Sequence, residues 1–461
     1  MLKLDTTIII LAAGKGSRMK SDYPKVLHIL GDKTILEYVL NTAKSINPKK
    51  IILVCNNNTK KILSNMKNFS IEIVVQKEQK GTGDALITAS KNFLDNENII
   101  VLYGDMPLIS SISIKKLQES KKKSDLSLLT SNIKNPSGYG RILRKNGYVI
   151  GIIEEKYANN QEKLIKEVYS GTFITQGKDL KRWLSKIHYN NHNQEIYATE
   201  IIKIAYLEGG NIIKTVKPLN YKEILGINNK LQLSILEKMI QQEKIENLLL
   251  SGVTLKDPYN FNLRGTLKHG ENIEIDSGVI LEGNIILGNN IKINAGCIIK
   301  NSFINHHSQI KEYTIIENVK IGKNCIIGPF CHLRNKTILK NNIHIGNYVE
   351  IKESIINEKT KIKHLSYIGN SKIGSQVNIG AGTITCNYDG FKKSKTTIGD
   401  NVFIGSNTEL IAPINISKNT TIAAGTTVRK NVDKPCLVYN TKKQKYKENW
   451  SYINKNKKTN T

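Results

Sequence analysis

Residues Ile315 to Ile351 read IIENVKIGKNCIIGPFCHLRNKTILKNNIHIGNYVEI, and this stretch decides the architecture of the C-terminal half. An aliphatic side chain recurs at every sixth position: Ile315, Ile321, Ile327, Leu333, Leu339, Ile345 and Ile351, with Gly, Asn or Asp often following. The same period runs earlier through Ile275, Leu281, Leu287, Ile293 and Ile299, and later through Ile398, Ile404, Leu410, Ile416, Ile422 and Val428. A period of six fits short strands separated by tight turns, three strands to a coil, with each coil burying its aliphatics only by stacking on its neighbours. The expected fold of residues 251–461 is therefore a parallel β-helix of hexapeptide repeats. The register breaks near His364 and again over GAGTITCNYDGFKKSKT, Gly380 to Thr396. Loops thrown out of a regular solenoid are where chemistry is expected.

Upstream the texture differs. Short β-branched runs, IIIL from Ile8, IILVC from Ile51, IEIVV from Ile71 and IIVLY from Ile99, alternate with helical patterns over residues 1–227. Such alternation predicts an α/β domain with a mixed, largely parallel, Rossmann-like sheet covered on both faces. Ligands bind at the carboxyl ends of such strands, which points to the residues after Leu11, Val75 and Tyr103. Between the two textures, residues 228–250 place Leu231, Ile235, Leu236, Met239 and Ile240 at helical spacing, the pattern of a linker helix.

Composition bounds the partners. A chain of 461 residues exceeds what one core usually organises, in agreement with two domains. The formal charge of +29 is spread along the chain as Lys and accompanies abundant Asn and Ile, as drift of the coding sequence toward adenine and thymine would produce. It forms no aromatic-interleaved basic stripe, so no nucleic-acid partner is expected. Runs such as Lys121–Lys123 and the tail SYINKNKKTNT read as solvated surface. Six scattered cysteines without a C-x-x-C pair, Cys297 and Cys325 among them, read as reduced core thiols of a cytoplasmic protein. The N-terminus carries only a short apolar run, so neither a signal peptide nor membrane insertion is expected.

The first chemical motif is LAAGKGSRM, Leu11 to Met19, followed by Pro24-Lys25. Met19 stands where a dinucleotide fingerprint needs its third Gly, and the Gly-Lys-Ser/Thr ending of a P-loop is absent. What remains is a strand, a glycine-rich turn able to aim backbone N–H groups at phosphates, an Arg and a Lys. Together with QKEQKGTGDA (Gln76 to Ala85), LYGDMPL (Leu102 to Leu108), GYGRI (Gly138 to Ile142) and IIEEK (Ile152 to Lys156), this motif resembles the sugar-nucleotide pyrophosphorylases. The resemblance implies Arg18 as a catalytic group. It implies nucleotide-sugar contacts from Leu11, Ala12, Ala13, Gly14, Lys25, Gln76, Gly81, Thr82, Tyr103, Gly104, Gly140 and Glu154, and a Mg²⁺ held by Asp105 and Asn228. Phosphoryl transfer is mostly positioning and charge stabilisation, which is the work such a set can do. One position departs: Tyr169 replaces the amide that the family usually places there, and a phenol cannot reproduce both roles of an amide.

In the repeat, Arg334 and Lys352 stand eighteen residues apart, one coil, and should stack, with Glu350 on the same strand face as Lys352. From the repeat alone they face either solvent or an anion. His364 in KHLSYIGN lies where a side chain can leave the solenoid, and a near-neutral base suits acetyl transfer to an amine. GPFCHLR, GNYVEIK, KHLSYIG, VNIGAGTITCNYDG and VFIGS, in this order after the pyrophosphorylase motifs, resemble the acetyltransferase half of the two-domain uridylyltransferase/N-acetyltransferases. That family acetylates glucosamine-1-phosphate with acetyl-CoA and then transfers UMP from UTP, giving the UDP-N-acetylglucosamine used for peptidoglycan and lipopolysaccharide. It implies His364 as base. It implies Arg334, Lys352, Tyr367, Asn378, Asn387 and Tyr388 as substrate contacts, and Ala381, Ser406 and Ala424 as acetyl-CoA contacts. A homotrimer, a left-handed helix and a strand-rich tail over Lys434 to Trp450 packed on a neighbouring subunit are implied as well. The family's last Arg is replaced by Thr441, with Lys442 and Lys443 following. Two other functions compete: a nucleotidyltransferase whose β-helix only assembles or regulates, and a basic nucleic-acid scaffold. The first leaves Arg334, Lys352, His364 and the Gly380 loop without a purpose, and the second lacks a binding motif.

Overall fold

A computed structural model describes residues 5–63, 71–187, 195–209, 213–441, 443–448 and 450. Lys442 and the tail after Trp450 lie outside them. The chain forms two compact units, Met1–Ile240 and Gln241–Thr461.

The first unit is built on a nine-stranded sheet: β1 (Thr6–Ala12), β2 (Lys50–Cys55), β3 (Glu72–Val75), β4 (Asn98–Tyr103), β5 (Leu126–Asn132), β6 (Arg141–Lys145), β7 (Tyr148–Ile153), β8 (Glu167–Gln176) and β9 (Ile213–Val216). Its order is β9-β5-β8-β4-β1-β2-β3, with β6 paired to β8 and β7 to β6. Strands β4, β1, β2 and β3 are mutually parallel, and β8 enters antiparallel beside β4. The continuous IIIL run is explained by two-sided burial. Ile8 and Ile10 point into one core with Leu36, Leu40 and Leu117, whereas Ile9 and Leu11 point into the other with Leu86, Phe173 and Trp183. Leu11 pairs with both Val54 and Tyr103, so the carboxyl ends of β1, β2 and β4 finish level and open one edge for the loops that follow.

The linker helix is Lys230–Leu250. Its inward stripe differs from the spacing read above, because Leu231 and Ile235 are exposed. Leu236 and Ile240 close a cluster with Met19, Leu30, Ile35 and Ile227 in the first unit. In the second unit Ile245 and Leu248 join the first coil of the repeat, and Gln241 exchanges hydrogen bonds with the Leu263 backbone.

The second unit is a left-handed parallel β-helix. Strands stack in register from Thr254–Leu255 to Leu437–Val438, and the inward aliphatics form one continuous core from Leu255 to Val428. Ile315 is a correction: the stacked side chain is Ile316, which is fully buried and pairs with Ile299 and Leu333. The steps from Ile299 to Ile304 and from Ile316 to Ile321 are five residues long, and each moves the register by one in the same direction. The break expected near His364 is likewise displaced. Ile362 and Ile368 hold the six-residue step around it, while the five-residue steps fall at Ile351 to Ile356 and Ile368 to Ile373. Asn fills many corners, with positive φ at Asn290, Asn324, Asn342, Asn401 and Asn419, because its short amide tolerates the left-handed turn. The tail after Pro435 is also a correction: Leu437–Val438 is its one strand among the described residues.

Candidate active sites

In the first unit the loops after β1, β3 and β4 enclose a cavity of about 410 Å³. Leu11, Ala12, Ala13, Gly14, Arg18, Lys25, Gln76, Gly81, Thr82, Tyr103, Asp105 and Asn228 line it. Arg18 sits on a single turn, Ser17–Met19, anchored by fully buried Met19, and Lys25 opens the turn Lys25–Leu27, anchored by Leu27. Lys25 Nζ lies 2.5 Å from Asp105 Oδ2 and 3.2 Å from Asn228 Oδ1, and Arg18 Nη2 donates to the same Asn228 oxygen at 3.1 Å. A carboxylate and an amide oxygen, brought together from positions far apart in the sequence, thus already share a cation. Hard oxygen donors of this kind fit a hard divalent ion whose remaining ligands come from phosphates and water. No group of three acidic, His or Cys ligands exists among the described residues.

Gln76 Nε2 donates to the Gly81 carbonyl at 3.0 Å and to Asp84 Oδ2 at 2.6 Å, which fixes the loop under the cavity. Gly81 has φ 108°, and a Cβ there would stand 2.4 Å from the Ile196 carbonyl oxygen, so only glycine fits. Gly104 donates its N–H to the Leu11 carbonyl and holds the Asp105 turn against β1. Glu154 lines an adjoining cavity of about 630 Å³ that shares Glu195 with the first. Burial pushes its carboxyl pKa up although Thr199 donates to it at 2.9 Å, and Gly140 lies beside its Oε2. Tyr169 turns into the core: its ring is buried and its hydroxyl donates to the Gly171 carbonyl at 2.9 Å, so it does not line the 410 Å³ cavity. Lys15, Gln79 and Glu195 also line that cavity and were not singled out from the sequence; the glycine loop and the Gln76 stretch contained the first two.

In the second unit Arg334 pairs with Lys352 on adjacent coils. Their column explains why they matter. It begins Arg264, Glu282, Lys300, Glu317, an alternation of sign in which Lys300 and Glu282 meet at 2.6 Å. At Arg334 and Lys352 the alternation fails and two cations become neighbours. Glu350 partly compensates by accepting from Arg334 Nε at 2.9 Å. Lys393, from the loop that interrupts the repeat, stands beside Lys352, and its proximity, with partial desolvation and the Arg334 charge, pulls the Lys352 ammonium below the ordinary lysine range. Adjacent cations that are only partly compensated favour an anion between them.

Lys352 is followed in the column by Gly369, and a Cβ on Gly369 would meet Tyr367 Oη at 2.6 Å and Asn387 Nδ2 at 2.7 Å. The phenol and the amide therefore fold over the floor beside the cations. Asn387 is nearly buried and donates to Asn370 Oδ1 at 2.7 Å, while exposed Tyr388 donates to the Gly390 carbonyl at 2.6 Å. His364 ends the strand Lys361–His364 at the corner next to this face, exposed, and Asn378 lies on the His364 side of that corner. Ala381, Ser406 and Ala424 form one column with His364: Asn407 N–H bonds the Ala381 carbonyl and Gly425 N–H the Ser406 carbonyl, coil on coil. Small side chains therefore line that edge from His364 onward. Beyond it lies a cavity of about 910 Å³ lined by Arg429, Lys430, Lys434, Asn440 and Thr441. Lys393, Arg429 and Lys430 were not expected from the sequence; the broken register over Gly380 to Thr396 was the available signal for Lys393. Of the six cysteines four are buried, Cys386 is half-buried and Cys436 is exposed, which corrects their reading as core thiols throughout.

Fold and sites together define a nucleotidyltransferase joined to a hexapeptide-repeat acyltransferase. Family models agree: residues 8–143 match the MobA-like NTP transferase domain, residues 263–349 the GMPPB C-terminal domain, and residues 395–430 the hexapeptide repeat of succinyl-transferase. The chain is 68% identical over 450 residues to the "Bifunctional protein GlmU" of Buchnera aphidicola subsp. Schizaphis graminum (strain Sg), covering 98% of this chain and 97% of that one. It is 64% identical over 450 residues to the protein of that name from subsp. Acyrthosiphon pisum (strain Tuc7), covering 98% of each. It is 54% identical over 441 residues to that from subsp. Baizongia pistaciae (strain Bp), covering 96% of this chain and 98% of that one. The chain belongs to the bifunctional GlmU family.

Proposed function

We propose that the chain makes UDP-N-acetylglucosamine in two steps, acetylating glucosamine-1-phosphate with acetyl-CoA at the His364 corner and then transferring UMP from UTP in the cavity beside β1. The product supplies peptidoglycan and lipopolysaccharide synthesis. In the second step Arg18 and Lys25 balance the triphosphate charge, the glycine loop after Leu11 offers its N–H groups, and Gln76 with Gly81 orients the base. Mg²⁺, held by Asp105 and Asn228 when bound, supplies charge neutralisation across the phosphates. Glu154 and Thr82 orient the sugar, Gly140 contacts the nucleotide, and Tyr169 adds no side-chain donor to the sugar. In the first step Arg334, Lys352 and Lys393 hold the sugar phosphate while Tyr367, Asn378, Asn387 and Tyr388 orient the hexosamine. His364 takes the ammonium proton, so that nitrogen can attack the thioester. Ala381, Ser406 and Ala424 line the coenzyme, and Arg429 and Lys430 supply the charge for its phosphates that Thr441 cannot.

The domain limits follow as 1–227 for the uridylyltransferase, 228–250 for the linker helix and 251–461 for the acetyltransferase. A homotrimer is the assembly we favour. Tyr313, Phe330, Tyr348 and Leu365 support it: they form an exposed apolar edge one residue from the His364 column, at positive φ where other coils carry Gly278, Gly296 and Gly382. Left-handed backbone and exposed rings both cost free energy that a covering subunit would offset. No helix among the described residues is long and apolar enough to cross a membrane, and six free cysteines suit the reducing cytoplasm.

The observation that carries the acetyltransferase half is the pairing of Arg334 with Lys352 where the charge alternation stops. In Arg334→Ala the KM for glucosamine-1-phosphate should rise about 10–100-fold, the size of one or two charge-assisted hydrogen bonds, with kcat changed far less. Steady-state kinetics of CoA release check this, and an unchanged KM would remove the phosphate from this column.

A further inference from the structure

His364 and Asn347 end adjacent strands, Lys361–His364 and His344–Asn347, and pair in register. Their side chains meet at 3.0 Å between His364 Nδ1 and Asn347 Oδ1. The backbone under them is pinned on both sides. Leu365 N–H donates to the Asn347 carbonyl at 3.0 Å, Ser366 Oγ to the His364 carbonyl at 2.8 Å, and Gly382 N–H to the Leu365 carbonyl at 2.9 Å. One coil below Asn347 the column carries Pro329, and one coil above His364 it carries Ala381. Neither has a polar side-chain atom, so within this column only residue 347 can bond the imidazole.

An amide oxygen can only accept, so the imidazole nitrogen it meets must carry the hydrogen. We infer that Asn347 is a positioning residue for acetyl transfer, holding His364 as the Nδ1–H tautomer with the Nε2 lone pair turned outward as the basic atom. This rests on His364 being the base. The step it serves is balanced as follows. One N–H bond of the sugar ammonium breaks and its proton passes to His364 Nε2. The freed nitrogen pair forms the C–N bond to the thioester carbonyl carbon. The C–S bond then breaks, and the departing CoA thiolate takes up the proton. The charges acting on His344, on the strand beside His364, come from Lys363, Lys311, Lys361 and His364 itself, all basic. Among them Asn347 offers a neutral acceptor, which fixes the tautomer without adding a negative charge that would hold the proton on the ring.

Three full-length variants test this, each checked for fold by an unchanged circular-dichroism melt, with the rate of UMP transfer, which should equal wild type, as the control for enzyme amount. Asn347→Leu, close in size and unable to accept, should lower kcat for acetylation by roughly 10–10²-fold, the usual cost of losing the hydrogen-bond partner that orients a functional histidine, with both KM values nearly unchanged. Asn347→Asp still accepts. It should recover most of the rate at high pH, while the acidic limb of its kcat/KM profile moves to higher pH because a carboxylate favours the imidazolium. His364→Ala separates the two levels of the argument. If it is inactive while Asn347→Leu keeps wild-type kcat and pH profile, the positioning role is overturned and the base stands. If His364→Ala is itself active in acetylation, the base assignment fails and the inference falls with it.

Discussion

In Asp105→Ala, UMP transfer from UTP should fall by about 10³-fold while acetyl transfer by the same polypeptide stays at its original rate. The magnitude is that of about 4 kcal/mol of lost charge stabilisation, the scale on which a metal-held phosphate contributes to a displacement at phosphorus. Two losses combine. The substitution removes the carboxylate that faces Lys25 at 2.5 Å, leaving Asn228 as the one acceptor of both Lys25 and Arg18. The same cations that should meet the triphosphate are then held less well, so the effect belongs in kcat as well as in KM. Pyrophosphate release from UTP and N-acetylglucosamine-1-phosphate, measured over a Mg²⁺ series, checks it. Equal loss of both activities in a folded variant would count against two separate sites.

In His364→Ala the pattern inverts. Acetylation should drop by roughly 10²–10⁴-fold, the usual contribution of a positioned base, and UMP transfer should not change. The KM for glucosamine-1-phosphate should move little, because the phosphate is held by the Arg334 and Lys352 column and not by the imidazole. Wild-type kcat/KM for acetylation should fall as pH drops through one ionisation. Since both the enzyme base and the sugar ammonium could produce that limb, an amine substrate of altered pKa separates them: a limb that follows the amine belongs to the substrate. Near-full acetylation by His364→Ala at neutral pH would make this histidine a corner residue of the solenoid and nothing more.

Residue types and spacings made much of this legible in advance. The six-residue period specifies its own fold, since each inward aliphatic must land on the one a coil below, and the alternation of β-branched runs such as IIIL with helical patterns marks them as strands buried on both faces. The two errors of register share one cause. Periodicity counts positions but does not see where a corner drops a residue, so it lands on Ile315 where the core uses Ile316, and it puts near His364 a break that lies at Ile351 to Ile356 and Ile368 to Ile373. In the linker helix the apolar spacing did not distinguish Leu231 and Ile235, which face solvent, from Leu236 and Ile240, because nothing local says which side a neighbour will cover. The abundance of Asn looked like base-composition drift, yet many asparagines occupy left-handed corners, where they have a structural reason. For the sites, Asp105 and Asn228 could be joined only by resemblance, as their contact through Lys25 spans more than half of the first unit. Lys393 was hidden for the opposite reason: it lies in a loop that obeys no period, and only its approach to Lys352 distinguishes it from its lysine neighbours.

Mixing the two inactive variants tests the central claim, two independent sites acting in sequence, most directly. Asp105→Ala and His364→Ala, each alone with glucosamine-1-phosphate, acetyl-CoA, UTP and Mg²⁺, should yield almost no UDP-N-acetylglucosamine. Combined in one vessel they should restore it after a lag, because N-acetylglucosamine-1-phosphate made by the first diffuses to the intact cavity of the second. A mixture that releases CoA but forms no UDP-N-acetylglucosamine, or a single variant that forms it at the wild-type rate, would contradict the account.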